Sequence, residues 1–300
     1  MKKIILVFAI ILEQIGITIP SNWVSVNPYQ ANTNTVSPAA SYLDEISPLP
    51  QKIQETDANI QARSFILIDR NTSKVMVEKE SNIRIPMASL TKIMAATIVL
   101  EKAKLEDKVN ISKNAVSSYG EGIDLSASEN LTVEDLLYGA LLSSSNDSCV
   151  AMAEHVSGTE EEFAKIMNEK VKELGLKNTH FTNAAGLDDF HHYSSAFDLA
   201  ILTKYALQNE KFKEIVNTKE KTITSSQGIS HHLRNSNKLL FLEDLNVLGV
   251  KTGYTGEAGE CLITEAEKDN NKIIAVVLNS PDRFGESKKL LKWGFEDYKW

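Results

Sequence analysis

A serine and a lysine stand three residues apart, Ser89 and Lys92, at the start of a long apolar segment. The apolar residues of that segment suit a helix that is buried on most sides. Because Pro86 is tolerated just before such a helix, we expect the helix to begin near Ala88 or Ser89, with both side chains on one face. A lysine kept neutral by burial can take the proton of a serine hydroxyl and so make its oxygen a nucleophile. Taken alone, the spacing favours a plain helix cap beside a solvated lysine.

Two later segments carry polar residues that fit the same chemistry. Ser144 and Asn146 fall in the break between two predicted helices, where a loop can direct both side chains into a cleft. Lys251 and Thr252 lie on a β-prone run, followed by Gly253, which leaves room for close approach to the backbone. Each pattern is weak by itself. In the order S-x-x-K, S-x-N and K-T-G, the three together match the active-site set of the penicillin-binding and β-lactamase fold.

The composition narrows the classes of protein. The chain has 300 residues, which is enough for one large or two small domains, and a net charge of −8. That negative charge, without a basic stripe or a Walker loop, argues against a nucleic-acid or nucleotide partner. Two pairs of adjacent histidines, 191–192 and 231–232, lack the H-E-x-x-H spacing of zinc enzymes. Neither a metal nor a cofactor is predicted.

The N-terminus indicates export. Two lysines precede an apolar run at residues 4–12, which is typical of a signal sequence. A stretch rich in Asn, Ser, Thr and Pro follows and is predicted to be a linker. We therefore assign residues 1–40 to a signal peptide or N-terminal anchor plus linker, and residues 41–300 to a folded domain. Cleavage between residues 21 and 31 and retention as an uncleaved anchor both stay open.

The rest of the chain alternates between strand and helix signals. Residues 64–69 and 74–78 predict a hairpin, and residues 88–217 are expected to be mostly helical, with Thr132 and Ser195 as helix caps. Three β-prone runs and a closing helix follow, at residues 247–254, 259–267, 272–279 and 287–298. This order predicts an α+β fold, in which helices flank an antiparallel sheet and a mostly helical subdomain is inserted.

The two cysteines are expected to be unpaired. Cys149 and Cys261 are 112 residues apart, and each lies in an apolar context. Such contexts are typical of small core residues rather than of a disulfide. We predict two free thiols.

Longer segments extend the match beyond the three motifs. They include I-P-M-A-S-L-T-K, L-L-S-S-S-N-D-S, H-Y-S-S-A-F-D-L-A, G-V-K-T-G-Y-T-G-E-A-G-E-C-L and D-R-F-G-E-S-K-K-L-L-K-W-G-F. Over residues 41–300 the chain resembles the D-alanyl-D-alanine carboxypeptidases, which are low-molecular-weight penicillin-binding proteins. Ser145 departs from the family's usual S-G-N, where a small residue should be tolerated. Many members continue into a β-rich domain and an amphipathic membrane helix, which this sequence lacks after Trp300.

The resemblance implies a role for each motif residue. Ser89 would attack the carbonyl of the penultimate D-alanine, with Lys92 as its general base. Ser144 would relay a proton between Lys92 and Lys251 to the leaving D-alanine, and Asn146 would hold the substrate amide. No metal takes part in this scheme.

The resemblance also implies which residues bind the substrate, most of them in or after the K-T-G motif. The backbone N–H groups of Ser89 and Tyr254 would form an oxyanion hole. The terminal carboxylate would face Lys251, Thr252 and Arg283, because the strand that ends before Arg283 is expected to lie beside the K-T-G strand. The alternative for Arg283 is a surface ion pair with Asp282 or Glu286.

The function implied is a serine-type D-Ala-D-Ala carboxypeptidase. Its partners would be peptidoglycan stem peptides that end in D-Ala-D-Ala and, as covalent inhibitors, β-lactams. Such an enzyme would be exported, with any membrane association through the N-terminal segment only. A D,D-endopeptidase would use the same residues. A class A β-lactamase is less favoured, since it needs a glutamate in an E-x-x-L-N loop and the nearest candidate, Glu173, has Lys177 in place of the asparagine. A catalytically silent wall-binding protein is weaker still.

Overall fold

An antiparallel sheet organises the part of the chain that the computed structural model describes, residues 48–300. The strands in chain order are β1 (Gln51–Lys52), β2 (Ser64–Asp69), β3 (Val75–Lys79), β4 (Lys108–Asn110), β5 (Asn130–Thr132), β6 (Glu220–Thr224), β7 (Ser230–Arg234), β8 (Asn246–Thr255), β9 (Gly259–Lys268), β10 (Asn271–Ser280) and β11 (Tyr298–Lys299). Five of them form the central sheet in the order β3-β2-β10-β9-β8. The others pair as β1-β11, β4-β5 and β6-β7.

Helices fill most of the chain between β3 and β6. They are α1 (Lys92–Lys102), α2 (Lys113–Val116), α3 (Val133–Leu142), α4 (Asn146–Ser157), α5 (Glu160–Glu173), α6 (Ala196–Ala206) and α7 (Glu210–Asn217), with α8 (Arg283–Asp297) near the C-terminus. The predicted caps are confirmed, because the Thr132 hydroxyl accepts from the N–H of Asp135 and the Ser195 hydroxyl from that of Asp198.

The central sheet separates two hydrophobic cores. Along β2, alternate side chains point to opposite faces, as the pleat requires. Ile66 and Ile68 join the core formed with α1 and the other inserted helices. Phe65 and Leu67 join the core beneath α8, which includes Trp293. This arrangement of sheet and flanking helices confirms the predicted α+β class.

Three local predictions differ from the structure. The hairpin β6-β7 was not predicted, since its strands expose most of their residues and lack an apolar run. Helix α8 begins at Arg283 rather than at residue 287, because the Asp282 carboxylate caps it by accepting from the N–H of Gly285. The predicted first helix begins with a 3₁₀ turn, Ala88–Thr91, and becomes α-helical at Lys92. We call this segment the Ser89 turn.

The strand order corrects one expectation. β10 was expected to lie beside β8, but β9 lies between them. The turn of Asp269 and Asn270, both with positive φ, joins β9 and β10 as a hairpin. Residues 256–258 join β8 and β9, so β9 is the strand that the two others share.

The predictions for the N-terminal segment lie outside the described residues. From residue 48 onward, no helix combines the length and hydropathy needed to span a membrane.

Candidate active site

Ser89 lies in a tightly packed turn. Ala88, just before it, has a φ of 50°. This left-handed conformation is unfavourable for alanine and persists only where the surrounding structure stabilises it. A Cβ added to Gly253 of β8 would lie 3.3 Å from the Ser89 nitrogen, and one added to Gly186 would lie 2.1 Å from the Ala88 oxygen. A side chain at Gly186 would therefore collide with the turn, and one at Gly253 would crowd it. Ser89 itself stays half-buried and lines a cavity.

Lys92 is fully buried at the start of α1 and ends among three oxygens. Its Nζ lies 2.8 Å from Ser89 Oγ, 2.7 Å from Asn146 Oδ1 and 2.7 Å from the carbonyl oxygen of Ala185. Burial lowers the pKa of Lys92, because desolvation disfavours the charged ammonium, against the opposing pull of Cys149, Glu121 and Asp147. The predicted pairing of Ser89 with Lys92 is thus present.

The partners of Lys92 determine what its neutral form can do. The Ala185 carbonyl can only accept, and Asn146 presents its Oδ1 because its Nδ2 donates to the Tyr119 carbonyl at 2.6 Å. A neutral amine has two hydrogens, which these two oxygens take. Its lone pair then faces the hydroxyl of Ser89, which is the arrangement that a general base needs.

The S-x-N motif lies at the predicted break between two helices: Ser144 and Ser145 are between α3 and α4, and Asn146 is the first residue of α4. Ser144 is buried and has a φ of 64°. Ser145, which stands where the family usually has glycine, caps α4 by accepting from the N–H of Ser148 and also contacts the Asp147 carboxylate. A serine is therefore not merely tolerated here, since it satisfies polar groups of the buried helix start. Asn146 holds Lys92 and Tyr119, a role that the sequence did not predict.

The K-T-G motif lies on β8, as predicted. Lys251 is 1% exposed, and its Nζ donates to the Thr252 carbonyl at 2.9 Å. Burial lowers the pKa of Lys251 well below its ordinary value, and the charge of Lys92 lowers it further. The Thr252 hydroxyl lies 2.6 Å from Ser236 Oγ, a neighbour with no signal in the sequence.

Arg283 reaches β8 by a route other than the one expected. It stands at the start of α8, and its Nη1 donates to the Gly253 carbonyl at 2.8 Å. The expected neighbouring strand is wrong, since β9 intervenes. The alternative, an ion pair of Arg283 with Asp282 or Glu286, is not found either. The Asp282 carboxylate accepts from the N–H of Gly285, and Glu286 pairs with Lys289.

A cavity of about 580 Å³ opens beside Ser89. Its walls come from Asn146, from Tyr254 and Thr255 at the end of β8, and from two loops, 117–129 and 182–192. The residues that the two loops contribute were not predicted: Tyr119, Gly120, Glu121, Ala185, Gly186, Leu187 and Asp188. A second cavity of about 770 Å³ shares Asp188 with the first.

A family model described as D-alanyl-D-alanine carboxypeptidase matches residues 51–282, more than three quarters of the chain. The chain belongs to this family.

Relatives of the D-alanyl-D-alanine carboxypeptidase family agree with that assignment. The D-alanyl-D-alanine carboxypeptidase DacF of Bacillus subtilis is 44% identical over 246 residues, which cover 79% of this chain and 63% of the relative. A D-alanyl-D-alanine endopeptidase of Pseudomonas aeruginosa is 30% identical, over 82% of this chain and 81% of its own. The crystal structure of penicillin binding protein 5 from Haemophilus influenzae matches with a TM-score of 0.75 at 36% identity, over 81% of this chain and 73% of that one. The chain thus spans less than two thirds of the first relative's length.

The other residues that the sequence analysis singled out do not line the cavity beside Ser89. Glu173, the nearest match to a β-lactamase glutamate, ends α5 with a side chain that is 60% exposed and paired with Lys170. His192 and His231 are buried and hydrogen-bonded. Over residues 48–300 no three His, Cys, Asp or Glu side chains are grouped to hold a metal. The prediction of two free, buried cysteines is confirmed, and burial raises the pKa of each to about 11.

Proposed function

We propose that this chain is a serine-type D-Ala-D-Ala carboxypeptidase, which removes the terminal D-alanine from peptidoglycan stem peptides through an acyl-enzyme on Ser89. The observation that supports it most is the fully buried Lys92, whose neutral form directs a lone pair at Ser89 Oγ. Family membership supports the substrate class.

The first step follows from these contacts. Lys92 takes the proton of Ser89, and the oxygen attacks the carbonyl of the penultimate D-alanine. The proton then passes to the nitrogen of the leaving D-alanine, and the C–N bond breaks. Ser144 and Lys251 are the proposed relay, since both are buried and Lys251 lies close enough to Lys92 for their charges to interact. Water finally attacks the ester, which releases the shortened peptide and returns the proton to Ser89.

The oxyanion of each tetrahedral intermediate is assigned to the N–H groups of Ser89 and Tyr254. Support comes from Gly253, the residue before Tyr254, which packs against the Ser89 nitrogen without a side chain between them. One such donor is typically worth roughly 3–4 kcal/mol of transition-state stabilisation.

The free carboxylate of the substrate is assigned to Lys251, Thr252 and Arg283. If Arg283 binds that carboxylate, Arg283→Ala should lower kcat/KM on D-Ala-D-Ala peptides about tenfold to a hundredfold, while acylation by a thioester that lacks the carboxylate changes far less. Equal losses on both substrates would instead assign Arg283 to supporting β8 through the Gly253 carbonyl.

The whole proposal is tested with benzylpenicillin. Intact-protein mass spectrometry should show one long-lived covalent adduct in the wild type and none in Ser89→Ala, because Glu121, the glutamate that lines the cavity, does not belong to an E-x-x-L-N sequence. Release of D-alanine from a D-Ala-D-Ala peptide should be lost in the same variant. Rapid penicillin turnover without a trapped adduct would assign the protein to the β-lactamases and overturn the proposal.

A second candidate is a D,D-endopeptidase acting on peptidoglycan crosslinks. It is favoured by the endopeptidase relative and by the second cavity, which adjoins the first at Asp188 and offers room for a second stem peptide. Digestion of crosslinked and uncrosslinked muropeptides by the purified protein separates the two activities.

Location and domain limits belong to the same proposal. A peptidoglycan substrate requires action outside the cytoplasm, which agrees with the export signal predicted at the N-terminus. We assign residues 41–300 to the peptidase domain and the export signal to the segment before it.

A further inference from the structure

His192 is a buried histidine that the proposed mechanism does not use. Its ring is 3% exposed and packs edge-on against Phe181. It ends the 182–192 loop, and it lies against the Ser89 turn through Thr91. Burying an imidazole ring without hydrogen-bond partners costs free energy. The partners of its two nitrogens therefore indicate which tautomer is present.

The contacts of His192 fix which nitrogen carries the proton. The N–H of Thr182 lies 3.0 Å from Nδ1, and a backbone N–H can only donate. Nδ1 is therefore the acceptor, and the proton is on Nε2, which lies 2.7 Å from Thr91 Oγ1. The Thr91 hydroxyl accepts from the ring and donates to the Ala88 carbonyl at 2.8 Å. Burial lowers the pKa of His192 to about 4, so this pattern persists at neutral pH.

The Ala88 carbonyl shares a rigid plane with the N–H of Ser89. The peptide bond between them is trans, so the carbonyl and the N–H point in opposite directions and turn together. A bond that holds the Ala88 oxygen therefore sets the direction of the Ser89 N–H. Ala88 needs such support because its φ of 50° is unfavourable for a residue with a Cβ.

We propose that His192 is a positioning residue for the oxyanion hole: through the Thr91 hydroxyl and the Ala88 carbonyl, it holds the Ser89 N–H in the direction that stabilises the oxyanion. The proposal rests on the proposed function for its catalytic consequence. The orientation of the Ser89 N–H is a property of the free protein and can be observed without turnover.

Two matched substitutions of His192 separate its two nitrogens. In His192→Gln the terminal amide reaches the place of Nε2 and still donates to Thr91. In His192→Asn the amide reaches only the place of Nδ1, so Thr91 loses its donor. Thr91→Val removes the hydroxyl at nearly constant shape.

We expect the acylation rate constant with benzylpenicillin to fall about tenfold to a hundredfold in His192→Asn and Thr91→Val, as for a misdirected oxyanion donor, with the dissociation constant of the non-covalent complex little changed. His192→Gln should stay within about threefold of the wild type. The amide resonance of Ser89 in ¹H–¹⁵N spectra should move in the first two variants and not in His192→Gln. Thermal unfolding of each variant shows whether it folds, and Thr91→Val carries the test if His192→Asn does not.

Two results would overturn the inference. One is acylation at the wild-type rate in both His192→Asn and Thr91→Val. The other is an equal loss in the Gln and Asn variants with an unmoved Ser89 amide, which is what a purely structural histidine gives. A wild-type protein that forms no penicillin adduct and releases no D-alanine would overturn the proposed function instead, and the Ser89 amide would still decide the positioning role.

Discussion

The two loops that wall the cavity are held in place by different chemistry. The 117–129 loop is fastened by buried charges, whereas the 182–192 loop is fastened mainly by neutral hydrogen bonds of its own side chains. Both loops touch Lys92 or its partner Asn146, so both bear on the same base. The difference indicates that the two walls respond differently to mutation and to pH.

Carboxylates hold the 117–129 loop. The Asp147 carboxylate accepts from the N–H groups of Ile123 at 3.1 Å and Leu125 at 3.2 Å. Glu129 lies 2.7 Å from His231 Nε2, and His231 Nδ1 lies 2.8 Å from the Ile123 carbonyl. Both ring nitrogens of His231 face acceptors, and the buried ring pairs with the Glu129 carboxylate.

An amide and an imidazole hold the 182–192 loop. Asn183 Oδ1 accepts from the N–H groups of Gly186 at 2.7 Å and Leu187 at 3.0 Å. His192 accepts from Thr182 at the loop's start. Carboxylates also take part, since Glu160 accepts from the N–H of Ala184, Asp189 from that of His191 and Asp188 from the Thr255 hydroxyl. The loop that presents the Ala185 carbonyl to Lys92 is thus organised largely from within.

The largest difference between the loops should be one of stability. Asp147→Ala removes a charged acceptor and leaves several buried N–H groups unpaired, so we expect a loss of about 4 kcal/mol in the free energy of unfolding. Asn183→Ala, the matched change in the other loop, should cost about 2 kcal/mol, because its acceptor is neutral. Urea unfolding at neutral pH measures both. An equal or larger loss in Asn183→Ala would contradict the distinction between ionic and neutral fastening.

The second difference is the pH range over which the groups of each loop cost the protein stability. The pKa of His192 is about 4 in the folded protein and about 6.5 ordinarily, because burial outweighs the nearby charges of Asp189 and Asp188 and acts with that of His180. The unfolded chain takes up this proton first, so stability is full above pH 6.5 and is lost between pH 6.5 and 4, by about 3 kcal/mol.

His192→Gln should flatten that part of the stability curve and leave the more acidic part as it is. Chemical denaturation of the wild type and the variant at half-unit steps of pH makes the comparison. If both curves fall alike between pH 6.5 and 4, another group controls this window.

The smallest effect is expected for Glu129→Gln at neutral pH. In this variant the His231 imidazole can still donate from Nδ1 to the Ile123 carbonyl and accept at Nε2 from the new amide, so the loss should be about 1 kcal/mol or less. Burial acts to raise the pKa of Glu129, but hydrogen bonds from His231 and the Ser126 N–H outweigh it and lower that pKa.

A carboxylate whose pKa is lowered in the folded protein stabilises the fold at pH values above its ordinary pKa of 4.5. That contribution is lost in more acidic solution. Glu129→Gln should therefore be less sensitive to pH below 4.5 than the wild type, as unfolding at pH 4.5 and 3 would show. A loss of several kcal/mol at pH 7 would mean that the ion pair cannot be exchanged for a neutral pair.

The sequence predicted what local signals encode. The β2-β3 hairpin, the caps at Thr132 and Ser195 and the three motifs all lie on the elements expected for them, since each depends on neighbours within a few residues. The position of Arg283 was predicted from a wrong strand order, in which β10 lies beside β8. Short turns join β8 to β9 and β9 to β10, and these connections already indicate that β9 lies between the other two strands.

The rest of the site depends on contacts between distant segments. The Ala185 carbonyl and the space left by Gly186 act through backbone atoms, which any residue type could supply. Ser236, which follows β7, meets Thr252 of β8 across 16 residues of chain, so the contact arises only in the folded structure. The link from His192 to Ala88 has no signal in the sequence, because it passes through hydrogen bonds between segments that only the fold brings together.

The short pairing of β1 with β11 has a practical consequence for engineering. Gln51 lies opposite Lys299 and Lys52 opposite Tyr298, so the start and the end of the domain are neighbours. A few residues of linker would join them, and new termini could be opened at the exposed tip of the β6-β7 hairpin, near Gly228. Such a circular permutant would keep both cavity loops uncut, and a fusion partner would then be attached at the β6-β7 hairpin instead of beside the β1-β11 pair.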